Sequence, residues 1–282
     1  AAAVRGARAA PRRALAAMGL GDLMKSLMAD KLKIVDPSQA LPGREAVMQV
    51  SPTHVVTGNP MQAPFPDGLE TVVFATGCFW GSEKAFWRMP GVFTTAVGYA
   101  GGYTPNPTYE EACSGYSGHT EAVQVVYDPK VVALADLLRT FWTSHDPTQG
   151  MGQGNDMGTQ YRSAIYPTTQ KQLELAEASA TAYGAALAAA GRSGEITTEI
   201  KMGENGEPVK FYYAEDYHQQ YLAKPGSRPY CSAQPTGVDL PMTFLQGPED
   251  VGRLPDAYWD KHAPRPGCTI GFPNEQIDLG EL

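Results

Sequence analysis

Between residues 69 and 88 the chain changes its period, and that change constrains everything built around it. Residues 69–76 (LETVVFAT) form a β-branched, apolar run suited to a buried strand, and residues 82–88 (SEKAFWR) favour a helix. Gly77-Cys78-Phe79-Trp80-Gly81 joins the two, which puts Cys78 at a strand-to-helix turn. Free N–H groups at a helix N-terminus favour negative charge, so the expectation is a lowered thiol pKa and a raised thiolate fraction. The flanking glycines let the backbone turn and a ligand approach, while Phe79 and Trp80 set an aromatic surface beside the sulfur. Cys78 is thus a candidate nucleophile; the plainer alternative is a small, inert core residue.

The alternation continues downstream. Strand-like runs at 92–100, 119–127, 161–166 and 196–201 are interleaved with helix-like runs at 80–88, 108–113, 133–144 and 168–190, and a Gly-rich loop spans 146–160. Strands and helices in this order predict an α/β (α+β) two-layer sandwich, a mixed central sheet with helices packed on it. No internal repeat is present. Residues 34–68, with scattered Pro and Gly, read as an extended arm or linker, and 69–225 as the compact domain. The Pro/Gly-rich stretch 226–282 reads as an irregular tail wrapping the core, anchored by Tyr230, Phe244, Leu245, Tyr258, Trp259 and Phe272.

The formal charge of −8 hides an asymmetry. Residues 1–33 hold seven Lys/Arg and two Asp/Glu, a net +5 that leaves −13 for the body. An acidic body has no general attraction for phosphate backbones or anionic membranes, which argues against nucleic-acid or membrane partners. No apolar run approaches the roughly 20 residues of a membrane-spanning helix. The Ala/Arg-rich start at 1–33 reads as an organellar targeting leader, with chloroplast as the first expectation and mitochondrion as the alternative.

The four cysteines, Cys78, Cys113, Cys231 and Cys268, form no CxxC pair and are too few for a disulfide scaffold in so long a chain. The economical reading is one reactive cysteine with partners elsewhere, Cys113 being a structural helix cysteine. His119, His145 and His218 lack metal-ligand spacing and read as structural. His119 and Glu121, which strand alternation puts on one face, leave open with Cys78 a Cys–His–acid hydrolase, and a thiol sensor of oxidants is a second alternative.

Taken together, GCFWG (77–81), GYAGGYTPNPTY (98–109), CSGYSGHTEAV (113–123), the 141–166 segment with GNDMGTQYRSAIY, and YYAEDYHQQYL (212–222) resemble the A-type peptide-methionine sulfoxide reductases over residues 69–225. The resemblance implies a ferredoxin-like core and thiol-dependent reduction of methionine S-sulfoxide, free or in proteins. It implies Cys78 as nucleophile and Glu121 as the acid on the sulfoxide oxygen. Tyr109 and Tyr161 would hold that oxygen, Phe79 and Trp80 would receive the S-methyl group, and Asp156 would orient substrate or water. A thiolate attack that frees methionine leaves a sulfenic acid, which a second thiol condenses to a disulfide. The resemblance implies a resolving cysteine in the tail, with Cys231 leading and Cys268 available for a further step. It also implies thioredoxin as external reductant, with no metal or organic cofactor. A monomer is the default expectation.

Overall fold

The computed structural model describes residues 31–247, 251–263 and 271–281. All but the last three residues of the expected leader, and Cys268, lie outside them. Strand β1 (Glu70–Thr76) runs into helix α1 (Phe79–Trp87), which returns to β2 (Val92–Ala100). A short helix α2 (Tyr109–Cys113) precedes β3 (Thr120–Tyr127), and α3 (Leu134–Ser144) follows it. Two-residue strands β4 (Gly152–Gln153) and β5 (Asp156–Met157) lie in the Gly-rich loop, ahead of β6 (Ser163–Tyr166) and the long helix α4 (Gln170–Ala189). β7 (Glu199–Ile200), β8 (Phe211–Tyr213) and a tail helix α5 (Asp256–His262) complete the elements used below.

The main sheet has the order β7-β6-β1-β3-β2-β8. Its pairs are antiparallel apart from β6 with β7. The inner four strands, β6-β1-β3-β2, with crossovers through α1 and α3, give the ferredoxin-like βαββαβ arrangement. Period-two alternation divides β1 between two cores. Val72 and Phe74 face the helices, where Phe74 stacks on Phe86 of α1 at 4.8 Å and leans on Phe141 of α3 at 5.4 Å. Val73 and Ala75 face the other way, into a smaller cluster with Ala100, Ala122, Ala164 and Tyr166 covered by Val209 and Phe211. Trp142 stacks on Tyr183 at 5.2 Å and seats α4 on α3.

Two elements differ from their sequence expectation. Residues 159–161 close a 3-10 turn instead of extending the strand, so β6 starts at Ser163. The strand expected near 196–201 is only Glu199–Ile200. The arm is laid on the domain, with Arg44 N–H bonding the Pro105 carbonyl at 3.1 Å and the buried His54 bonding Thr95 at 2.9 Å. The tail is irregular around α5 and crosses the far end of α1. There Gln276 Nε2 donates to the carbonyls of Met89 and Val92 at 2.9 and 2.7 Å, and Ile277 N–H donates to the Arg88 carbonyl at 2.8 Å. Among the described residues no helix is long and apolar enough to cross a membrane.

Candidate active site

The turn after β1 is built for close approach. Gly77 sits at φ +99°, and a Cβ there would come within 2.7 Å of Gln153 Cβ, so an L side chain is excluded twice. Cys78 takes the N-cap position of α1 without a side-chain cap, and its sulfur accepts the N–H groups of Trp80 and Gly81. Those bonds favour thiolate, but they lose. Burial of the sulfur, followed by the charge of Glu121, pushes the Cys78 thiol well above its ordinary range. The expected low-pKa thiol is therefore corrected: at rest Cys78 is a protonated thiol.

Glu121 stands on β3, paired in register with Tyr99, and is 2% exposed. Its Oε2 accepts the Phe79 N–H at 2.9 Å, which draws the carboxyl to the first residue of α1 beside Cys78. Burial raises its pKa to about 8, with the Phe79 bond opposing and the charge of Asp156 assisting. Glu121 thus holds a proton at neutral pH. Tyr109 and Tyr161 converge on it from α2 and from the 3-10 turn. Both phenols are shifted upward, chiefly by burial, and both feel the Glu121 charge.

Several residues that sequence reasoning left out hold this group together. Glu215 accepts the Tyr99 hydroxyl at 2.9 Å and the Tyr109 N–H at 2.8 Å, anchoring the start of α2. Thr120 Oγ1 bonds the carbonyls of Gln160 and Arg162, both at 3.0 Å, which ties the Tyr161 turn to β3. Trp80 stacks on Tyr221 at 3.9 Å and donates its indole N–H to His218 Nδ1 at 3.1 Å. His218, read from the sequence as structural, also packs on Phe79 and Tyr109 at 5.1 and 4.7 Å. It is a wall of the pocket. The signal available in the sequence was the density of aromatic and polar residues in YYAEDYHQQYL.

Cys113, expected as a structural helix cysteine, is the last residue of α2. Its thiol accepts the Tyr109 hydroxyl and interacts with Glu121, and burial pushes it to about 11, so it borders the same pocket. Asp156 lies close enough to influence Cys78 and Glu121, but both of its oxygens are held by the tail. Tyr230 Oη donates to Oδ1 at 2.5 Å, and Ser232 Oγ donates to Oδ2. Cys231, between those two residues, is disulfide-bonded, whereas Cys78 and Cys113 are free thiols.

A hydrolase needs an imidazole on its nucleophile. His119 spends both ring nitrogens on backbone, accepting Gly102 N–H at 3.0 Å and bonding the Thr104 carbonyl at 2.8 Å. His145 is likewise bound to the Phe141 carbonyl at 2.9 Å and Ser163 Oγ at 2.7 Å. Among the described residues no group of three His, Cys, Asp or Glu side chains is arranged to hold a metal ion. What the pocket offers is a thiol, a protonated carboxyl, two phenols and an aromatic wall. That set suits an electrophilic sulfur carrying a basic oxygen.

Comparison with known proteins gives the same reading. A family model described as peptide methionine sulfoxide reductase matches residues 70–241. Peptide methionine sulfoxide reductase MsrA of Salinispora arenicola is 58% identical over 215 residues, covering 75% of this chain and 94% of that one. MsrA 1 of Synechocystis is 56% identical over 216 residues, covering 77% and 94%. Among solved structures, methionine sulfoxide reductase A of Corynebacterium diphtheriae superposes with a TM-score of 0.65 at 46% identity, covering 73% of this chain and 97% of that one. Reduced Mxr1 of Saccharomyces cerevisiae gives 0.51 at 31%, covering 67% and 95%. With its thiol, carboxyl and phenols in one pocket and the family's sequence over most of its length, the chain belongs to the peptide methionine sulfoxide reductases.

Proposed function

We propose that Cys78 attacks the sulfur of the S epimer of methionine sulfoxide, free or within a protein, while Glu121 protonates its oxygen. The observation that carries this assignment is the 2.9 Å bond from Phe79 N–H to Glu121, which sets a protonated carboxyl at the turn bearing the thiol. Glu121 gives its proton to the oxygen and regains one from Cys78. The products are methionine and Cys78 sulfenic acid, so the net change is transfer of one oxygen atom. Tyr109 and Tyr161, both driven toward the neutral phenol, donate to that oxygen as charge develops on it. Phe79 and Trp80 enclose the methyl group, and His218 holds the indole in place.

The sulfenic acid then condenses with the Cys231 thiol, releasing water and forming a Cys78–Cys231 disulfide. Cys231 is disulfide-bonded while Cys78 is free, which supports onward exchange from Cys78 through Cys231 to another tail cysteine. Cys268 is the remaining cysteine of the sequence. The dithiol of thioredoxin returns the pair to thiols. The test is a racemic methionine sulfoxide peptide with excess dithiothreitol, each epimer followed by chiral chromatography. Loss of the S epimer alone, abolished in Cys78→Ser, is the expected result; loss of neither epimer overturns the assignment.

A further inference from the structure

Residues on either side of Cys231 grip the active site itself. Tyr230 Oη donates to Asp156 Oδ1 at 2.5 Å, and Ser232 Oγ lies between Asp156 Oδ2 and the Gln153 carbonyl, the latter at 3.0 Å. Gln234 N–H donates to Gln153 Oε1 at 3.0 Å, and Gln149 Nε2 reaches Gln234 Oε1 at 3.1 Å. The contact is close on the backbone side too: Gly154 lies at φ +59°, and a Cβ there would collide with the Ser232 carbonyl. Gln153 is shared by both reacting segments. Its Cβ packs against Gly77, the residue before Cys78, while its carbonyl and side-chain oxygens hold Ser232 and Gln234. The Cys231 backbone is thereby fastened on both sides to the wall of the Cys78 pocket.

This grip coexists with a Cys231 disulfide whose partner is neither Cys78 nor Cys113, since both of those are free. The backbone is docked at the pocket even while the sulfur is engaged elsewhere. We infer that Tyr230 and Ser232, through Asp156 and Gln153, are positioning residues for the resolving step. They keep Cys231 beside Cys78, so that disulfide formation follows each reduction as an intramolecular event. The inference rests on the proposed function of Cys78. In the step concerned, the Cys231 thiol attacks the sulfenic sulfur, the new S–S bond replaces the S–O bond, and the oxygen leaves as water. Holding two reacting groups within one pocket raises their effective concentration by large factors, and releasing one of them forfeits it.

The test uses the full chain, reduced with dithiothreitol, freed of it, and given one equivalent of methionine sulfoxide peptide. In Tyr230→Phe/Ser232→Ala the methionine released in this first turnover should match wild type. The Cys78 sulfenic acid, trapped with dimedone and counted by mass spectrometry, should persist at least about tenfold longer. Turnover with thioredoxin should fall, while turnover with excess dithiothreitol, which reduces the sulfenic acid directly, should not. Ser232→Ala alone should show part of this effect, and Ser232→Thr, which keeps a hydroxyl, should show much less of it. Normal methionine release with sulfenic acid decay at or above the wild-type rate overturns the positioning role. Failure of wild type to release methionine instead overturns the proposed function.

Discussion

Two backbone N–H groups and a carboxyl contend for the charge of Cys78, and the outcome governs when the thiol reacts. The helix N-terminus contributes hydrogen bonds from Trp80 and Gly81, but enclosure of the sulfur and the nearby Glu121 outweigh them. The thiol stays protonated until a substrate changes the balance. In the proposed reaction the substrate oxygen takes the Glu121 proton, leaving a carboxylate that would accept the proton of Cys78. Glu121→Gln separates the two effects. With the acidic neighbour gone, the Cys78 pKa should fall, read from the pH dependence of alkylation by iodoacetamide. Reduction should nonetheless slow by roughly 10²-fold or more, since the general acid is lost. Because Glu121 titrates near pH 8, wild type loses its acid as pH rises through that value. The gap between wild type and variant in single-turnover rate should therefore be widest below pH 8 and narrow above it. A gap constant from pH 6 to 9.5 would remove Glu121 from the proton path.

At the scale of elements, helix α1 is held at both ends, by chemistry at its start and by the tail at its finish. A helix leaves its last carbonyls without intrahelical partners. Here Gln276 and the Ile277 N–H take the carbonyls of Arg88, Met89 and Val92, while Lys84 Nζ donates to the Phe272 carbonyl at 2.7 Å and Asn274 Oδ1 at 2.8 Å. These contacts lie beyond the family match, which ends at residue 241. Gln276→Ala should lower stability by about 0.5–1.5 kcal/mol, the net worth of its side-chain hydrogen bonds, with little effect on first-turnover methionine release. Urea midpoints at pH 7 measure the former. The β1–turn–α1 unit was legible in the sequence because the period switches there within a few residues. The 3-10 turn at 159–161 was not, since Tyr161 and Ser163 continue a strand-like composition, and the bonds from Thr120 to the Gln160 and Arg162 carbonyls and from Arg162 to the Thr159 carbonyl are not visible in it. That Cys78, Glu121, Tyr109 and Tyr161 gather in one place follows the expectation drawn from family resemblance. The roles of Glu215, His218 and Tyr230 were not legible, because each depends on a partner more than 70 residues away in the chain.

For the whole molecule, buried titratable groups of both kinds set the pH range of stability. Burial raises Glu83, held by Thr95 and Gln220, to about 7, and Glu121 to about 8. A carboxyl raised above its unfolded value near 4.5 contributes stability below that pH and loses it as pH rises through the folded value. For Glu83 the shift amounts to about 3 kcal/mol. Four buried histidines act in the opposite direction. His54, His119, His145 and His218 are lowered from 6.5 to about 4, chiefly by burial, so unfolding lets them take up protons once pH falls below about 6.5. The four histidines outnumber the carboxyls raised by burial, Glu83, Glu121 and Asp136, so the acid limb should be the steeper. Where the limbs meet, at about pH 6–7, the numbers of protons bound by the folded and unfolded chains become equal and stability is greatest. Urea denaturation from pH 4.5 to 9 should show this asymmetric dome. Glu83→Gln should flatten the profile just above pH 7 and steepen the acid limb, because between about pH 4.5 and 7 the proton kept by folded Glu83 offsets part of the histidine uptake. A wild-type profile that continues to rise from pH 7 to 9 would contradict the protonated state assigned to both carboxyls.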